Sequence, residues 1–154
     1  MPKYMTIDEL PKPKPKIAHY TEYVTDTEYE RGLLIEFGVN SETCGAKRIT
    51  TGHTVIPPGS INERHVHLNA EAVMYIIKGN PIVFIGPEAK PYKLRPGCFV
   101  YTPEGVIHGI GNPSDTEEVE LVFSYGGVPS KEAAGTVFIK ETDGTYPPPN
   151  WKSL

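Results

Sequence analysis

The sequence predicts an all-β fold built as one domain. Its 154 residues include 15 glycines and 16 prolines, a composition that favours short elements and tight turns over long helices. The apolar runs are short and rich in β-branched or aromatic residues. They recur mostly every eight to twelve residues or so, a spacing typical of a sandwich or barrel. No apolar period of 3.6 residues lasts long enough for a central helix.

Seven runs are predicted to be strands. In chain order they are LLIEF (33–37), KRITTGHTVI (47–56), AVMYIIK (72–78), IVFI (82–85), CFVYT (98–102), VELVFSY (119–125) and TVFIK (136–140). Between the third and fourth runs, KGNP predicts a hairpin turn in which Gly79 takes a positive φ. The segment PSKEAA (129–134) predicts one helical turn, and we expect no other helix.

The two ends of the chain predict extended segments. LPKPKPKI (10–17) alternates proline with lysine, which disfavours a helix and favours a polyproline conformation. We therefore assign residues 1–30 to an N-terminal arm, 31–140 to the barrel and 141–154 to a C-terminal tail. The arm is either solvated or a strap across a partner subunit, and Tyr146 and Trp151 of the tail are candidates to pack back on the body.

Charge and hydropathy exclude several functional classes. The net charge is −4 and no basic stripe is interleaved with aromatic residues, so we expect no nucleic-acid partner. No apolar run has the length of a membrane helix and no signal peptide is evident, which predicts a cytoplasmic protein without membrane contact. Cys44 and Cys98 belong to no C-x-x-C pair and are expected to be separate buried thiols.

The stretch HVHLNAE (65–71) indicates a metal site. On a helix, side chains two residues apart diverge by about 200°, whereas on a strand they share one face. The spacing of His65 and His67 therefore predicts a strand whose two imidazoles face one ion. A third ligand is needed, and His108 is the candidate because the turn Pro103–Gly105 redirects the chain just before it.

The histidines fall within two motifs that resemble those of the cupins. The first motif, glycine, H-x-H, glutamate and glycine, matches at Gly59, His65, His67, Glu71 and Gly79. The second motif, glycine, P-x-G, histidine and asparagine, matches at Gly97, Pro103, Gly105, His108 and Asn112. The resemblance implies a double-stranded β-helix, or jelly-roll barrel. It also implies one metal ion held by His65, His67, Glu71 and His108.

The match departs from the family pattern at Glu71. Seven residues separate Glu71 from Gly79 where the family has six, so Ala72 occupies the register of the ligand in other members. A one-residue slip turns a side chain to the opposite face of a strand. Either a bulge lets Glu71 reach the ion, or three histidines bind it while Glu71 is salt-bridged at the rim or acts as a nearby base.

Three further side chains are candidates near the pocket. His53 is an acid or base if its strand lines the pocket, and otherwise a surface histidine. Tyr125 or Tyr101 would contact substrate through its hydroxyl. Glu63 is interpreted as a surface charge.

The resemblance and the ligand set predict an enzyme with one divalent transition metal ion. Iron is the leading choice, with manganese, nickel, zinc and copper as alternatives. The leading hypothesis is a dioxygenase acting on a small oxygenated molecule, because neutral histidine ligands leave the metal charge to an anionic substrate. The alternatives are an isomerase, decarboxylase or lyase that stabilises an enolate, and a non-catalytic module that binds a small molecule. We also expect a homodimer, since sheets of this size leave an edge to be covered.

Overall fold

The computed structural model describes residues 1–19 and 23–154. Within these ranges eleven strands form two antiparallel sheets. The strands are β1 (Val24–Asp26), β2 (Leu34–Val39), β3 (Ile49–Ile56), β4 (His65–His67), β5 (Glu71–Lys78), β6 (Ile82–Ile85), β7 (Lys90–Lys93), β8 (Phe99–Thr102), β9 (His108–Gly111), β10 (Val119–Gly126) and β11 (Thr136–Phe138). The larger sheet has the order β1-β2-β3-β10-β5-β8, and the smaller has the order β11-β4-β9-β6-β7.

The all-β prediction is confirmed, and each of the seven predicted runs contains a strand. The H-x-H segment is strand β4, and His108 begins β9 as expected. Two short strands, β1 and β7, escaped prediction. All four residues of β7 are exposed, so its sequence carries no apolar pattern that would predict a strand.

Helical structure is confined to short segments. The segment 129–134 contains the expected turn, a 3-10 helix at Glu132–Ala134. The expectation of no other helix was wrong, because α1 spans Ser41–Cys44 and 3-10 helices lie at Ile7–Glu9 and Trp151–Ser153. The helix α1 begins with a capping box from Asn40 to Thr43 and ends at Gly45 in the left-handed conformation, which are local signals readable from the sequence.

The hairpin predicted at KGNP was wrong. Strand β5 belongs to the larger sheet and β6 to the smaller, so this turn carries the chain across the barrel. Gly79 does have the predicted positive φ of 85°. A Cβ there would lie 2.6 Å from the carbonyl oxygen of Glu118, so the crossing needs glycine for close approach as well as for conformation.

The core fills the space between the two sheets. Burial alternates along β3 and β10, two paired strands of the larger sheet, as expected when one face of a sheet packs inward. The buried apolar side chains nearest the site are Leu33, Ile35, Ala72, Ile110, Leu121 and Phe123. The barrel therefore presents apolar walls to its interior.

The C-terminal tail packs against the smaller sheet, as predicted. Tyr146 and Trp151 are buried, and both rings stand edge-on to Phe84 of β6. A Cβ on Gly111 would lie 2.7 Å from the Trp151 ring, which explains a glycine in the middle of a buried sheet. Arg64 ties the same tail down through a two-point ion pair with Glu141, at 2.6 and 3.0 Å.

The N-terminal segment is only partly an arm. Residues 1–17 and His19 are exposed, and Ala18 is half-buried. Strand β1, however, lies within the range 1–30 assigned to the arm and pairs with β2 of the barrel. The predicted polyproline stretch 10–17 has no regular secondary structure. The arm's contact with a partner subunit stays a prediction.

The larger sheet ends at β8 and the smaller at β7, and both edges carry exposed aromatic side chains. Tyr92, Phe99 and Tyr101 are 45%, 73% and 61% exposed.

The homodimer and the cytoplasmic location stay predictions. In the part of the chain that the structure describes, no helix has the length and apolar character needed to cross a membrane.

The two cysteines are unpaired, as predicted. Both are half-buried where full burial was expected. Cys98 packs against the edge of the main core.

Replacing Gly52 by alanine is expected to destabilise the barrel. The new Cβ would lie 2.5 Å from the carbonyl oxygen of Glu36 and 2.7 Å from the Phe123 ring, so the two neighbouring strands must shift. Overpacking of this kind costs about 1–3 kcal/mol of unfolding free energy. Urea denaturation measures the loss. Gly126→Ala, whose Cβ would have its nearest contact at 4.0 Å, is the control, and an equal loss in both variants would contradict the explanation.

Candidate metal centre

Three histidines converge on the interior of the barrel. His65 and His67 lie on the same face of β4, and His65 is paired directly with His108 of β9. One ring nitrogen from each of the three lies within 4.8 Å of those from the other two. All three side chains are buried, with 1%, 3% and 7% exposure respectively. The strand geometry inferred from H-x-H therefore produces a cluster of the kind that holds a metal ion.

The Nδ1 atoms of two of these histidines are bound to backbone carbonyls. His65 Nδ1 lies 2.9 Å from the Glu63 oxygen, and His108 Nδ1 lies 2.9 Å from the Val106 oxygen. Because a carbonyl only accepts, each Nδ1 must carry a hydrogen. In the neutral ring the lone pair is then on Nε2, the nitrogen left for a metal ion.

The third histidine is held by a chain of hydroxyl groups. His67 Nδ1 lies 2.9 Å from Thr136 Oγ1, which is 2.6 Å from the Tyr29 hydroxyl. That hydroxyl is 3.2 Å from the hydroxyl of Tyr125. Burial raises the pKa of Tyr29 to about 12 and that of Tyr125 well above its ordinary value. Both phenols are therefore protonated at neutral pH and able to donate.

A buried carboxylate, Glu30, lies next to the histidines. Its Oε1 is 3.1 Å from His65 Nε2, and its Oε2 accepts a hydrogen bond from Asn62 Nδ2 at 3.1 Å. Asn62 is fixed in turn, since its Oδ1 accepts from the backbone amide of Ile110 at 2.8 Å. Sequence reasoning missed Glu30, because it belongs to neither motif and no local spacing links it to β4.

The electrostatics of the cluster follow from burial and from this carboxylate. Burial by itself raises the pKa of Glu30, but the neighbouring His65, His108 and Asn62 lower it to about 2. Burial lowers the pKa of His65, and Glu30 outweighs this and raises it. Burial and the charge of His65 lower the pKa of His67 to about 3 and that of His108 to about 4. These two imidazoles are therefore neutral at physiological pH, the form that binds metal.

The donor set fits a divalent transition metal ion. His65 Nε2 is buried and makes no hydrogen bond in the structure. Glu30 Oε1 lies 3.1 Å from this nitrogen, at the distance of an ion pair. A buried polar atom without a partner is costly, and an ion bound by imidazoles and a carboxylate would satisfy it.

The cluster lies at the end of a small cavity of about 40 Å³. A buried water needs roughly 10–15 Å³ by this kind of measure, so the space holds an ion with a few small ligands. Apolar side chains form most of the wall, while the polar groups collect at the histidine end. The side chains around it are Glu30, Leu33, Ile35, Thr54, Asn62, Ala72, Met74, Thr102, Ile110, Leu121, Phe123 and Tyr125 with the three histidines.

The structure does not bring Glu71 to this cluster. Glu71 is exposed at the start of β5, where its Oε1 accepts a hydrogen bond from the Tyr101 hydroxyl at 2.6 Å. The next residue, Ala72, is buried and lines the cavity. The extra residue before Gly79 thus turns the carboxylate outward and places a methyl group where the family motif has its ligand. The alternative prediction placed Glu71 in a salt bridge at the rim or as a nearby base; in the structure its partner is the Tyr101 hydroxyl instead of a cationic side chain.

His53 also lies away from the cavity. It faces the outer side of β3, 2.7 Å from Glu120 and 3.6 Å from Glu36, while the adjacent Thr54 lines the cavity. Strand alternation separates the two. Of the tyrosines considered, Tyr125 faces the cavity and Tyr101 faces solvent. The Glu63 side chain is exposed, as expected, and only its carbonyl takes part in the site.

Comparisons with known proteins agree with the motifs and with the fold. The family model described as "Cupin domain" matches residues 52–125. No curated protein sequence matches the chain. Among solved structures, the polyketide cyclase RemF from Streptomyces resistomycificus is 14% identical, with a TM-score of 0.67, and the match covers 86% of this chain and 91% of that one.

Two other solved structures give a similar result. The Pac13 nucleoside dehydratase is 9% identical with a TM-score of 0.64, covering 86% of this chain and 98% of that one. The oxalate decarboxylase of Lactobacillus farciminis, in a formate complex, is 18% identical with a TM-score of 0.65, covering 88% of this chain and 41% of the larger protein. At these identities the likeness concerns the fold alone. With both histidine motifs, the matched family model and the two-sheet architecture in agreement, the chain contains a cupin domain over residues 52–125 and has the cupin fold.

Proposed function

We propose that the protein is a metal-dependent enzyme that catalyses a lyase or isomerase reaction on a small oxygenated organic substrate. The observation that carries the proposal is the convergence of His65, His67 and His108 at a mostly apolar cavity, with the Nε2 of His65 buried and without a hydrogen bond. These residues would hold one divalent transition metal ion. When bound, such an ion acts as a Lewis acid that stabilises negative charge on a substrate oxygen.

The remaining side chains of the cavity suit proton transfer. Tyr125 presents a protonated hydroxyl to the interior, and its hydrogen-bond chain through Tyr29 and Thr136 ends on His67 Nδ1. A phenol in this position can donate a proton to a substrate atom that gains negative charge and can be reprotonated along the chain. The apolar wall excludes bulk water and strengthens these interactions.

The same features favour a reaction without net oxidation over the dioxygenase hypothesis. That hypothesis depended on a site of neutral ligands without a carboxylate. The ionised Glu30 lies 3.1 Å from His65 Nε2. The site therefore does contain a carboxylate, and the reason for preferring a dioxygenase no longer applies. Three solved structures with this fold are described as a cyclase, a nucleoside dehydratase and an oxalate decarboxylase, which fits chemistry based on proton transfer.

Metal analysis and a substrate panel test the proposal together. Protein purified without added metal is expected to contain close to one transition metal ion per chain by inductively coupled plasma mass spectrometry. Small hydroxy acids, keto acids and diketones are then assayed in air and under nitrogen. We expect turnover that does not depend on oxygen. Turnover that stops under nitrogen would support the dioxygenase instead, and metal-loaded protein inactive on the whole panel would favour a binding module.

Replacing Tyr125 by phenylalanine is expected to lower kcat about 100-fold or more, the usual contribution of a positioned acid. Metal content should not change, since the three imidazoles that would hold the ion are left in place. Tyr101→Phe removes an exposed hydroxyl from the outer face of the same sheet and is the matched control. Full activity in Tyr125→Phe would refute its role as proton donor.

A further inference from the structure

The cavity contains a single carboxylate, and it does not come from the cupin motif. Among the described residues that line the cavity, Glu30 is the only acidic side chain. The motif position that would point inward is occupied by Ala72, while Glu71 is exposed and bonded to Tyr101. A site built from three neutral imidazoles alone would leave the full charge of a divalent ion uncompensated inside an apolar wall.

We propose that Glu30 is the fourth protein ligand of the metal ion, replacing the displaced glutamate of the first motif with a carboxylate from the loop between β1 and β2. This inference rests on the proposed metal centre. It assigns a ligand that lies outside both motifs and outside the matched family region of residues 52–125.

The distance between Glu30 and His65 is that of two neighbouring ligands. Two donor atoms bound at 2.0–2.2 Å in adjacent octahedral positions are about 3 Å apart. Oε1 of Glu30 is 3.1 Å from Nε2 of His65, yet that nitrogen makes no hydrogen bond. The separation is that of an ion pair as well as that of two ligands of one ion. The ligand atoms that lie within 4.8 Å of one another belong to the three histidines, so Glu30 would bind the ion after its carboxylate shifts toward His67 and His108.

The second carboxylate oxygen is already committed to the protein. Oε2 of Glu30 accepts from Asn62 Nδ2, and Asn62 Oδ1 accepts from the Ile110 amide next to His108. This support fixes the plane of the carboxylate and leaves Oε1 for the ion. Glu30 is therefore suited to bind through one oxygen.

The loop before β2 is held in a conformation that delivers Glu30 to the interior. The Asp26 carboxylate accepts hydrogen bonds from the backbone amides of Glu28 and Tyr29, both at 2.9 Å, and is paired with Lys131. Gly32 has a φ of 93°, and a Cβ there would lie 2.8 Å from the Ile61 carbonyl oxygen. Glycine thus allows the loop to pass directly over the segment that leads to Asn62.

One carboxylate ligand also limits the substrate. Three neutral imidazoles and one carboxylate leave a divalent ion with a net charge of +1. An open coordination position in a low-dielectric cavity then favours a singly charged anion such as a monocarboxylate. The small cavity, about 40 Å³, agrees with a short molecule.

Cobalt binding to Glu30→Gln tests the assignment without an activity assay. Glutamine preserves the size of the side chain and can still accept from Asn62, but it removes the anionic ligand. We expect the Co²⁺ affinity measured by calorimetry to fall about 100-fold or more. Removal of a side chain that only supports a metal ligand usually costs about 10- to 100-fold in affinity, and loss of a ligand should cost at least as much. The visible absorption of the Co²⁺ protein should change as well. Glu71→Gln is the matched control and should bind Co²⁺ like the wild type.

The outcomes separate this inference from the proposed metal centre. If the wild-type protein fails to bind Co²⁺, both are wrong. If His65→Ala loses Co²⁺ while Glu30→Gln keeps the wild-type affinity and spectrum, the metal centre stands and the role of Glu30 is refuted. If circular dichroism shows that Glu30→Gln does not fold, Glu30→Asp is tested instead, because aspartate withdraws the carboxylate by one methylene. An unchanged Co²⁺ affinity in Glu30→Asp would again refute the role of Glu30. Recovery of affinity in Glu30→Gln combined with Ala72→Glu would support it further.

Discussion

Replacement of His65 by alanine is expected to leave the protein without a bound transition metal ion and without measurable turnover. His65 is the most deeply buried of the three histidines, at 1% exposure, and its Nε2 makes no hydrogen bond. Losing one of three imidazole ligands removes a metal–nitrogen bond that no nearby side chain replaces. We expect metal content by mass spectrometry to fall from about one ion per chain to near zero, and activity to fall by at least about 1,000-fold when the Lewis acid is lost.

His53→Ala is the matched control, because it removes an imidazole that lies on the outer face of β3 between two carboxylates. This variant should keep its metal and its activity. Circular dichroism must show that both variants are folded, since His65→Ala also leaves the buried Glu30 without the imidazole that lies 3.1 Å from it. A folded His65→Ala protein with its full metal content would show that the ion, if any, is bound elsewhere.

Trp151→Ala is expected to lower the unfolding free energy by about 3–5 kcal/mol, the usual loss for a large aromatic side chain removed from a core. Trp151 is 9% exposed, packs on Phe84 and fills the space left by Gly111. Urea denaturation, followed by circular dichroism and analysed as a two-state transition, measures the change.

The tail also connects to the site, which gives the same variant a second readout. The Tyr146 hydroxyl donates to the Asn62 carbonyl oxygen at 2.8 Å, and Asn62 orients Glu30. Loosening the tail should therefore weaken metal binding as well as stability. Leu154→Ala changes an exposed residue of the same tail and is expected to do neither. A loss below about 1 kcal/mol in Trp151→Ala would mean that the tail is not part of the core.

The metal cluster was predictable because its geometry is local or fixed by strand pairing. The alternation of His65 and His67 requires a strand, and the turn at Pro103–Gly105 places His108 at the start of another. The sequence also showed that Glu71 departs by one residue from the motif. It did not show whether Glu71 would face the interior or the solvent, because a bulge and a one-residue slip give the same spacing in the sequence.

Features that depend on long-range packing were not predictable. Glu30 contacts His65 only because the loop between β1 and β2 folds over the barrel, and no local pattern marks that contact. The turn at Gly79 has the composition of a hairpin, and only the sheet to which β6 belongs shows that it is a crossing. The outward orientation of His53 likewise depends on the register of β3 against β10.

The most direct test of the metal centre is a crystal structure of the protein purified without added metal, with diffraction data collected on both sides of the absorption edges of the candidate metals. The account predicts one anomalous peak inside the barrel, about 2.0–2.2 Å from Nε2 of His65, His67 and His108. A peak bound by other residues would contradict it. So would a cavity with no transition metal after the same crystals have been soaked in Co²⁺.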